Sequence, residues 1–465
     1  MSDNGWRARI RWVVVHPGRD AVLVARPDGV VRLPETELPG RVWTADPSEV
    51  LPGLRELLGA DAVLLRCLDE DEDDAARVQR ATLVAVPRGL PALPDGMAWA
   101  GIGELVGGDG DAAVAARVVT ELGTGGTGVT GRPWAARGWF DQAEGWLLET
   151  MAAIGRPVTG PLAQVRAWEL SCVLRAPTAT GDVWFKVNAA LPLFVNEGVI
   201  IKMLSELFGD RVPAPLAVDP ERGWMVLDDV GPEVGWEAPL EVVEELASSF
   251  ARLQVEAAGQ TGRLLAAGCN DRRLGRLAAQ AEAWLPDLEA TGELPGIDDA
   301  TWLSGGELAA LQAALPQLRA CCQELAGFAV PPSLVHGDLH LGNVARGPGG
   351  YRFFDWTDAC VAHPFLDLAT IRRGTSFAEG EDQRERELRE RLQAAYLPEW
   401  AAFEPPERLA RAVRLAAPLG ALHQAVSYRA IVASQQPPID VHMRQSTAWW
   451  LRQVLAGLAE LAAPA

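Results

Sequence analysis

The second half of this 465-residue chain reads as helix almost throughout, and one β island interrupts it. From Leu240 onward, Ala- and Leu-rich stretches repeat with a 3.6-residue period. The period breaks at Leu334-Val-His336-Gly337-Asp338-Leu-His340-Leu-Gly342-Asn343. A β-hairpin is expected next, across Val344-Ala-Arg, Gly347-Pro-Gly-Gly350 and Tyr351-Arg-Phe-Phe354, ending on Asp355-Trp356. A hairpin turns the chain back on itself, so it returns Asp355 toward Asp338 and Asn343. Whatever the surrounding helices do, they must leave one corner in which two acids and an amide meet.

Upstream the pattern is mixed. Short strands are expected in a meander over residues 8 to 33, with the turns Gly18-Arg-Asp and Pro27-Asp-Gly between them. A helix follows at Pro47 to Leu58, then strands at Ala62 to Cys67 and Ala81 to Val86. The acidic run Asp69 to Asp74 reads as a solvated loop. Gly123-Thr-Gly-Gly-Thr-Gly-Val-Thr-Gly-Arg-Pro133 breaks the composition and is read as a linker at a domain boundary. A phosphate loop is disfavoured there, because no Lys-Ser/Thr pair follows and no apolar strand leads in. Beyond it come an amphipathic segment (Trp139 to Ile154), strands at Gln164 to Trp168, Ser171 to Pro177 and Val183 to Val187, a helix at Val195 to Phe208 and a strand at Trp224 to Asp228.

Composition excludes several classes. Hydrophobic residues at 48% and charged residues at 22% are the balance of a folded globular protein. A formal charge of −20 argues against a nucleic-acid partner, since phosphate backbones are bound through clustered Lys and Arg. The same charge suits a cationic ligand, and solubility alone would also account for it. Six scattered cysteines form no CxxC pair or zinc spacing and read as reduced thiols. There is no apolar h-region at the N-terminus and no run of about 18 apolar residues, so a cytoplasmic protein away from membranes is expected. Of 42 basic residues only Lys186 and Lys202 are lysines, which singles out Lys186 as a position that needs an amine.

Asp338 stands five residues before Asn343, the spacing at which an acid orients an acceptor hydroxyl while an amide holds magnesium. Phosphoryl transfer builds negative charge on its transferred group, so hard oxygen donors must keep Mg²⁺ on the phosphates. His336-Gly-Asp-x-x-x-x-Asn343 with Asp355-Trp356 resembles the hallmark of the aminoglycoside phosphotransferase and choline kinase-like branch of the protein-kinase-like fold. His363-Pro-Phe-Leu-Asp367 is similar to that family's next segment, whose Asp is structural. The resemblance covers about residues 160 to 435. It implies an α+β, two-lobed fold with a small β-rich lobe and a large helical one.

The family's roles then fall on particular residues. Asp338 matches the catalytic acid, and Asn343 and Asp355 match the Mg²⁺ ligands. Lys186 matches the strand lysine that reaches the phosphates of ATP or GTP, with Glu197 as its ion-pair partner. Met225, Leu227 and Asp228 resemble the hinge against which the base lies. The turn Trp168 to Ser171 would cover the phosphates, although no Gly-x-Gly-x-x-Gly is present. His336 is read as a brace rather than a metal ligand. Asp358 and His363 are equally well placed to meet substrate or to be held in the core.

The N-terminal part resembles a Nudix fold through Leu33-Pro-Glu-Thr-Glu-Leu-Pro-Gly40 and Arg55-Glu56-Leu57. Gly59 and Ala60 stand where its metal-binding acids should follow, so a non-catalytic domain is implied. The resulting division is 1–125 (Nudix-like), 126–158 (linker and helix), 159–232 (small lobe) and 233–465 (large lobe). The function implied is phosphorylation of a hydroxyl on a small molecule, such as an aminoglycoside, an amino sugar or a related alcohol. A nucleotide-binding pseudokinase that regulates a partner is the alternative, and a Nudix-type hydrolase a more distant one. Acceptor, choice of nucleotide and oligomeric state are open.

Overall fold

The computed structural model describes residues 5–123, 131–236, 238–288, 302–347, 349–371, 383–434 and 441–463. The chain forms two compact units, Met1–Ala190 with Trp224–Asp229, and Leu191–Gly223 with Val230–Ala465. The architecture is α+β, with strands concentrated in the first unit and helices in the second. Most of the glycine-rich segment read as a linker, residues 124–130, lies outside the described residues.

The first unit opens with β1 (Arg7–Val14), β2 (Ala21–Ala25), β3 (Glu35–Pro39), α1 (Pro47–Leu58), β4 (Ala62–Asp73), β5 (Val78–Pro87), β6 (Met97–Gly101), α2 (Ile102–Leu105) and α3 (Asp111–Leu122). Four strands make a sheet in the order β3-β1-β5-β4, with β1 and β5 parallel and the other neighbours antiparallel. Strand alternation points Ala8, Ile10, Trp12 and Val14 into a core that α1 completes with Val50, Leu54 and Leu58. Asp46 caps α1 by accepting from Ser48 N at 2.8 Å, and Gly59 ends it at φ 61°. The positions at which a Nudix box would carry its acids thus coincide with the end of the helix.

Two expectations are corrected here. The first strands meet as a meander only through single antiparallel bridges, Val15 with Val22 and Ala25 with Arg32, while the full ladder of β2 is with β6, some 70 residues on. Local alternation fixes where a strand lies but not which strand it meets. The acidic run is not a loop, since β4 continues through Asp69 to Asp73 as an edge strand paired with β5. Its carboxylates are answered from neighbouring segments. Arg80 stands opposite Asp71, Arg41 reaches Glu72 at 3.0 Å, and Glu70 accepts from Thr44 Oγ1 at 2.7 Å.

The chain continues through α4 (Trp139–Ala153), β7 (Ala163–Ala167), β8 (Ser171–Thr178) and β9 (Gly181–Asn188). It then supplies α5 (Glu197–Phe208) and β10 (Pro215–Asp219) to the second unit and returns to the first as β11 (Trp224–Asp228). Within the first unit these strands run β11-β9-β8-β7, all antiparallel. Trp139 and Trp146 of α4 pack on Phe185 and Trp224 with ring centroids 5.5 to 6.0 Å apart, mostly edge to face.

The second unit is built from α6 (Leu240–Ala257), α7 (Thr261–Ala266), β12 (Asn270–Asp271), α8 (Leu274–Trp284), α9 (Gly305–Ala326), β13 (Ser333–Val335), β14 (Val344–Gly347), β15 (Gly350–Phe353), β16 (Cys360–Ala362), α10 (Leu368–Ile371), α11 (Gln383–Tyr396), α12 (Pro406–Ser434) and α13 (Val441–Ala462). The island expected from the sequence is present. The hairpin β14–β15 pairs Val344 with Phe353, and β13 joins a small sheet in the order β12-β16-β13. Of the acidic stretch 379–390, residues 379–382 lie outside the described residues. Among the described residues no helix is long and apolar enough to cross a membrane.

Phe185 is fully buried at the centre of the α4 cluster. Replacing it with Ala should cost about 3 to 5 kcal/mol, because the four-ring contact leaves a void that the sheet cannot close. Chemical denaturation of the Phe185→Ala protein should show that loss.

Candidate active site

The second unit gathers the residues of the β island. Asn343 Nδ2 donates to Asp338 O at 2.9 Å, which closes the loop between them and turns the amide oxygen Oδ1 away from that bond. Phe354 N donates to Asn343 O at 3.1 Å, so the hairpin delivers Asp355 beside the same loop. Asp355 holds φ at 63°, a left-handed conformation uncommon for a residue with a Cβ. Thr357 Oγ1 donates to Asp355 Oδ1 at 2.8 Å, and Glu197 in the first turn of α5 accepts from Trp356 N at 3.0 Å and from Thr357 Oγ1 at 3.2 Å. Glu197 therefore anchors α5 to the Asp355 segment.

Beneath the loop is a buried hydrogen-bond hub. Asp367 accepts from His336 N, Gly337 N and Gln254 Nε2, each at 2.9 Å. Gln424 of α12 donates to Gly337 O at 2.5 Å. Gly337 holds φ at 85°, and a Cβ there would meet Asp358 O at 2.5 Å, so only glycine fits. His336 is wholly buried, and its Nε2 lies 3.0 Å from Phe354 O. A carbonyl can only accept, so that nitrogen carries the proton. His336 is thus a brace between the Asp338 loop and the residue before Asp355. Burial takes its pKa down to about 4 and that of His363 down to about 3. Burial also raises Asp367 to about 7, outweighing its three donors.

His340 lies beside the exposed edge of the loop. Its Nδ1 accepts from Gly342 N at 3.1 Å, and its Nε2 lies 3.6 Å from Asp338 Oδ2. Trp236, 40% exposed, stacks on the imidazole at 4.7 Å. His363, offered as a substrate contact, is a buried cap whose Nδ1 accepts from Phe365 N at 3.3 Å.

The other candidate residues lie in the first unit and share one sheet. Strand register places Lys186 opposite Met225 and Val173, and Ser171 opposite Asn188. With side chains alternating along each strand, Ser171, Lys186, Met225 and Leu227 share one face. Asp228 falls on the opposite face and pairs with Arg156 at 2.6 Å. Ser171 Oγ accepts from Trp168 Nε1 at 2.9 Å.

Gln254, Thr357, Gln424 and Trp236 escaped the sequence reading. Thr357 alone had a signal, its place two residues after Asp355. The glutamines sit in long helices whose pattern says only that they are helical.

Residues 196–406 match the family described as the phosphotransferase enzyme family, APH. No curated protein matches the chain. Among solved structures the chain is similar to a choline/ethanolamine kinase family protein from Mesorhizobium loti, at 18% identity over 70% of this chain and 95% of that one, with a TM-score of 0.47. It is also similar to choline kinase LicA from Streptococcus pneumoniae, at 14% identity over 69% and 99% of the two chains, with a TM-score of 0.46. A macrolide 2'-phosphotransferase from Brachybacterium faecium gives 18% identity over 64% and 99%, with a TM-score of 0.41. The family match spans Asp338, Asn343, Asp355 and Asp367, and residues 1–125 lie outside it.

The buried histidines of the second unit set its response to acid. His336 and His363 are neutral in the fold and would bind protons near pH 6.5 once unfolded, so their contribution is full above that pH and is lost as it falls toward 4. Buried His423, also lowered, acts in the same direction. Asp367, raised, acts in the opposite one, with a contribution lost as pH rises toward 7. The histidines outnumber it. Stability measured by denaturant titration should therefore fall between pH 6.5 and 5, and His363→Gln should reduce the slope by about 1.4 kcal/mol per pH unit.

Proposed function

We propose that this chain transfers the γ-phosphoryl group of ATP or GTP to a hydroxyl of a small molecule. The observation that carries the reading is the closed loop in which Asn343 is bonded to Asp338 O, with Asp355 delivered beside it by the hairpin. Asp338 would orient the acceptor hydroxyl and take its proton as the acceptor oxygen bonds to the γ-phosphorus and the bond to the β-phosphate oxygen breaks.

Asn343 and Asp355 offer an amide oxygen and a carboxylate, the hard donors that Mg²⁺ prefers when nucleotide phosphates and water complete its shell. Mg²⁺ bound there would neutralise charge on the β- and γ-phosphates. Lys186 supplies a further cation to the phosphates, and the sheet face it shares with Ser171, Met225 and Leu227 would receive the nucleotide. Glu197, whose carboxylate holds the Asp355 segment, would keep that metal ligand in place. Hinge recognition of the base falls to the backbone of Met225 to Asp228, since the carboxylate of Asp228 is committed to Arg156.

For the acceptor, an alcohol bearing an amine fits the charge of −20 and the acids Asp338 and Asp358 at the loop. A release assay for ADP and GDP across amine-bearing and neutral polyols identifies both substrates. Amine-bearing acceptors should show the higher kcat/KM, and the preference should shrink above about 0.15 M salt, where the Debye length is about 8 Å. Equal turnover of neutral acceptors at all salt concentrations would reject the cationic preference alone.

Asp338→Asn, nearly isosteric, should abolish transfer and leave nucleotide affinity and Tm near the parent's. Asn343→Ala and Asp355→Ala should weaken nucleotide binding in a manner that depends steeply on Mg²⁺ concentration, and Lys186→Ala less steeply. Retention of most of the turnover by Asp338→Asn would overturn the assignment.

A further inference from the structure

The turn Trp168–Ser171 joins β7 to β8, the strands that precede the Lys186 strand. In phosphoryl-transfer sheets the corresponding loop is rich in glycine, so that its backbone can approach the phosphates. This turn contains no glycine, and besides its own bonds from Trp168 N to Ser171 O and from Trp168 Nε1 to Ser171 Oγ it is held from outside. Trp134 Nε1 donates to Trp168 O at 3.0 Å. Trp43 meets the Trp168 ring edge-on at 6.1 Å, and the Arg166 guanidinium lies over both indoles. Glu169, in the middle of the turn, is paired with Arg132 at 3.5 Å, their side chains only 13% and 9% exposed.

The strand leading into the turn is held in the same way. Ala167 N donates to Ala45 O at 3.0 Å. Gln164 accepts from Leu64 N at 2.9 Å and donates to Leu64 O at 2.8 Å, acting as a short extension of the edge strand β4. These partners come from the region before β7, including the N-terminal sheet that the proposed reaction leaves without a role. Simple adhesion would not need the buried Arg132–Glu169 pair, because apolar packing of equal volume usually serves as well. A directional pair, together with the Trp134 donor aimed at one carbonyl, fixes a backbone conformation.

We propose that the segment preceding β7 is the positioning element of the phosphate turn, with Trp43, Arg132 and Trp134 holding Trp168–Ser171 in its nucleotide-binding shape. The inference rests on the reading above in which this turn faces the nucleotide phosphates. That segment supplies by external contact the order that a glycine-rich loop acquires only when nucleotide binds. Part of the nucleotide affinity is therefore stored in contacts outside the phosphotransferase segment.

Calorimetric titration of the full chain with the Mg²⁺ complexes of non-hydrolysable ATP and GTP analogues tests this. Trp43→Ala, at a half-exposed site, and Trp134→Phe, which keeps a ring but loses the donor, should each weaken binding about tenfold, an ordinary size for coupling between distinct regions. Trp43→Phe should restore most of the loss from Trp43→Ala. Circular dichroism should show the variants folded at the titration temperature. If both variants bind as the parent does while only their Tm falls, the contacts are structural and the inference fails. In that case a loss of binding in Lys186→Ala would leave the proposed function standing. A parent that binds neither analogue would overturn both.

Discussion

The carboxylate of Asp367 holds the loop that carries Asp338 in place. It takes a charged or protonated acid wholly out of water and surrounds it with His336 N, Gly337 N and Gln254 Nε2. Two consecutive amides pointing at one residue fix the peptide planes on either side of His336, two residues before Asp338. The hub is in turn tied to three helices. Gln254 comes from α6 and accepts from Tyr396 of α11, while Gln424 of α12 takes the Gly337 carbonyl. A buried acceptor removed from such a set leaves several donors unsatisfied, each at a cost of about 1 to 3 kcal/mol, so the position tolerates little change.

Asp355 shows the same logic with backbone strain added. A left-handed residue with a Cβ costs about 1 kcal/mol or more and persists only where its surroundings over-determine it. Here Phe354 N is bonded on one side, Trp356 N on the other, and Thr357 holds the carboxylate itself. Glu197 supplies the bond to Trp356 N from α5, so the acid named from sequence as a partner for lysine sets the conformation of a second acid.

What could be read in the sequence was whatever depends on near neighbours. Helix α1 and strand β11 fall where periodicity put them, and the hairpin returns Asp355 as the turn residues implied. Pairing between distant segments is not legible, so neither the β2–β6 ladder nor the continuation of β4 through its acidic residues follows from the sequence. The same limit applies at the site. The loop acids and amide stood out by spacing, whereas Gln254 and Gln424 reach the loop from 80 or more residues away in helices whose period carries no trace of it.

The sheet of β7, β8, β9 and β11 shows how one short strand can serve two demands. Along β9, Phe185 turns into the aromatic cluster beneath α4 and Lys186 turns the other way. The cluster buries large rings with no polar atom of Phe185 to satisfy, and Val226 and Leu174 lie on the same face. The opposite face carries Lys186 and Ser171 beside the buried Met225 and Leu227. The period-2 alternation of the strand, Val183-Trp-Phe-Lys-Val187, thus separates what holds the sheet together from what the sheet presents.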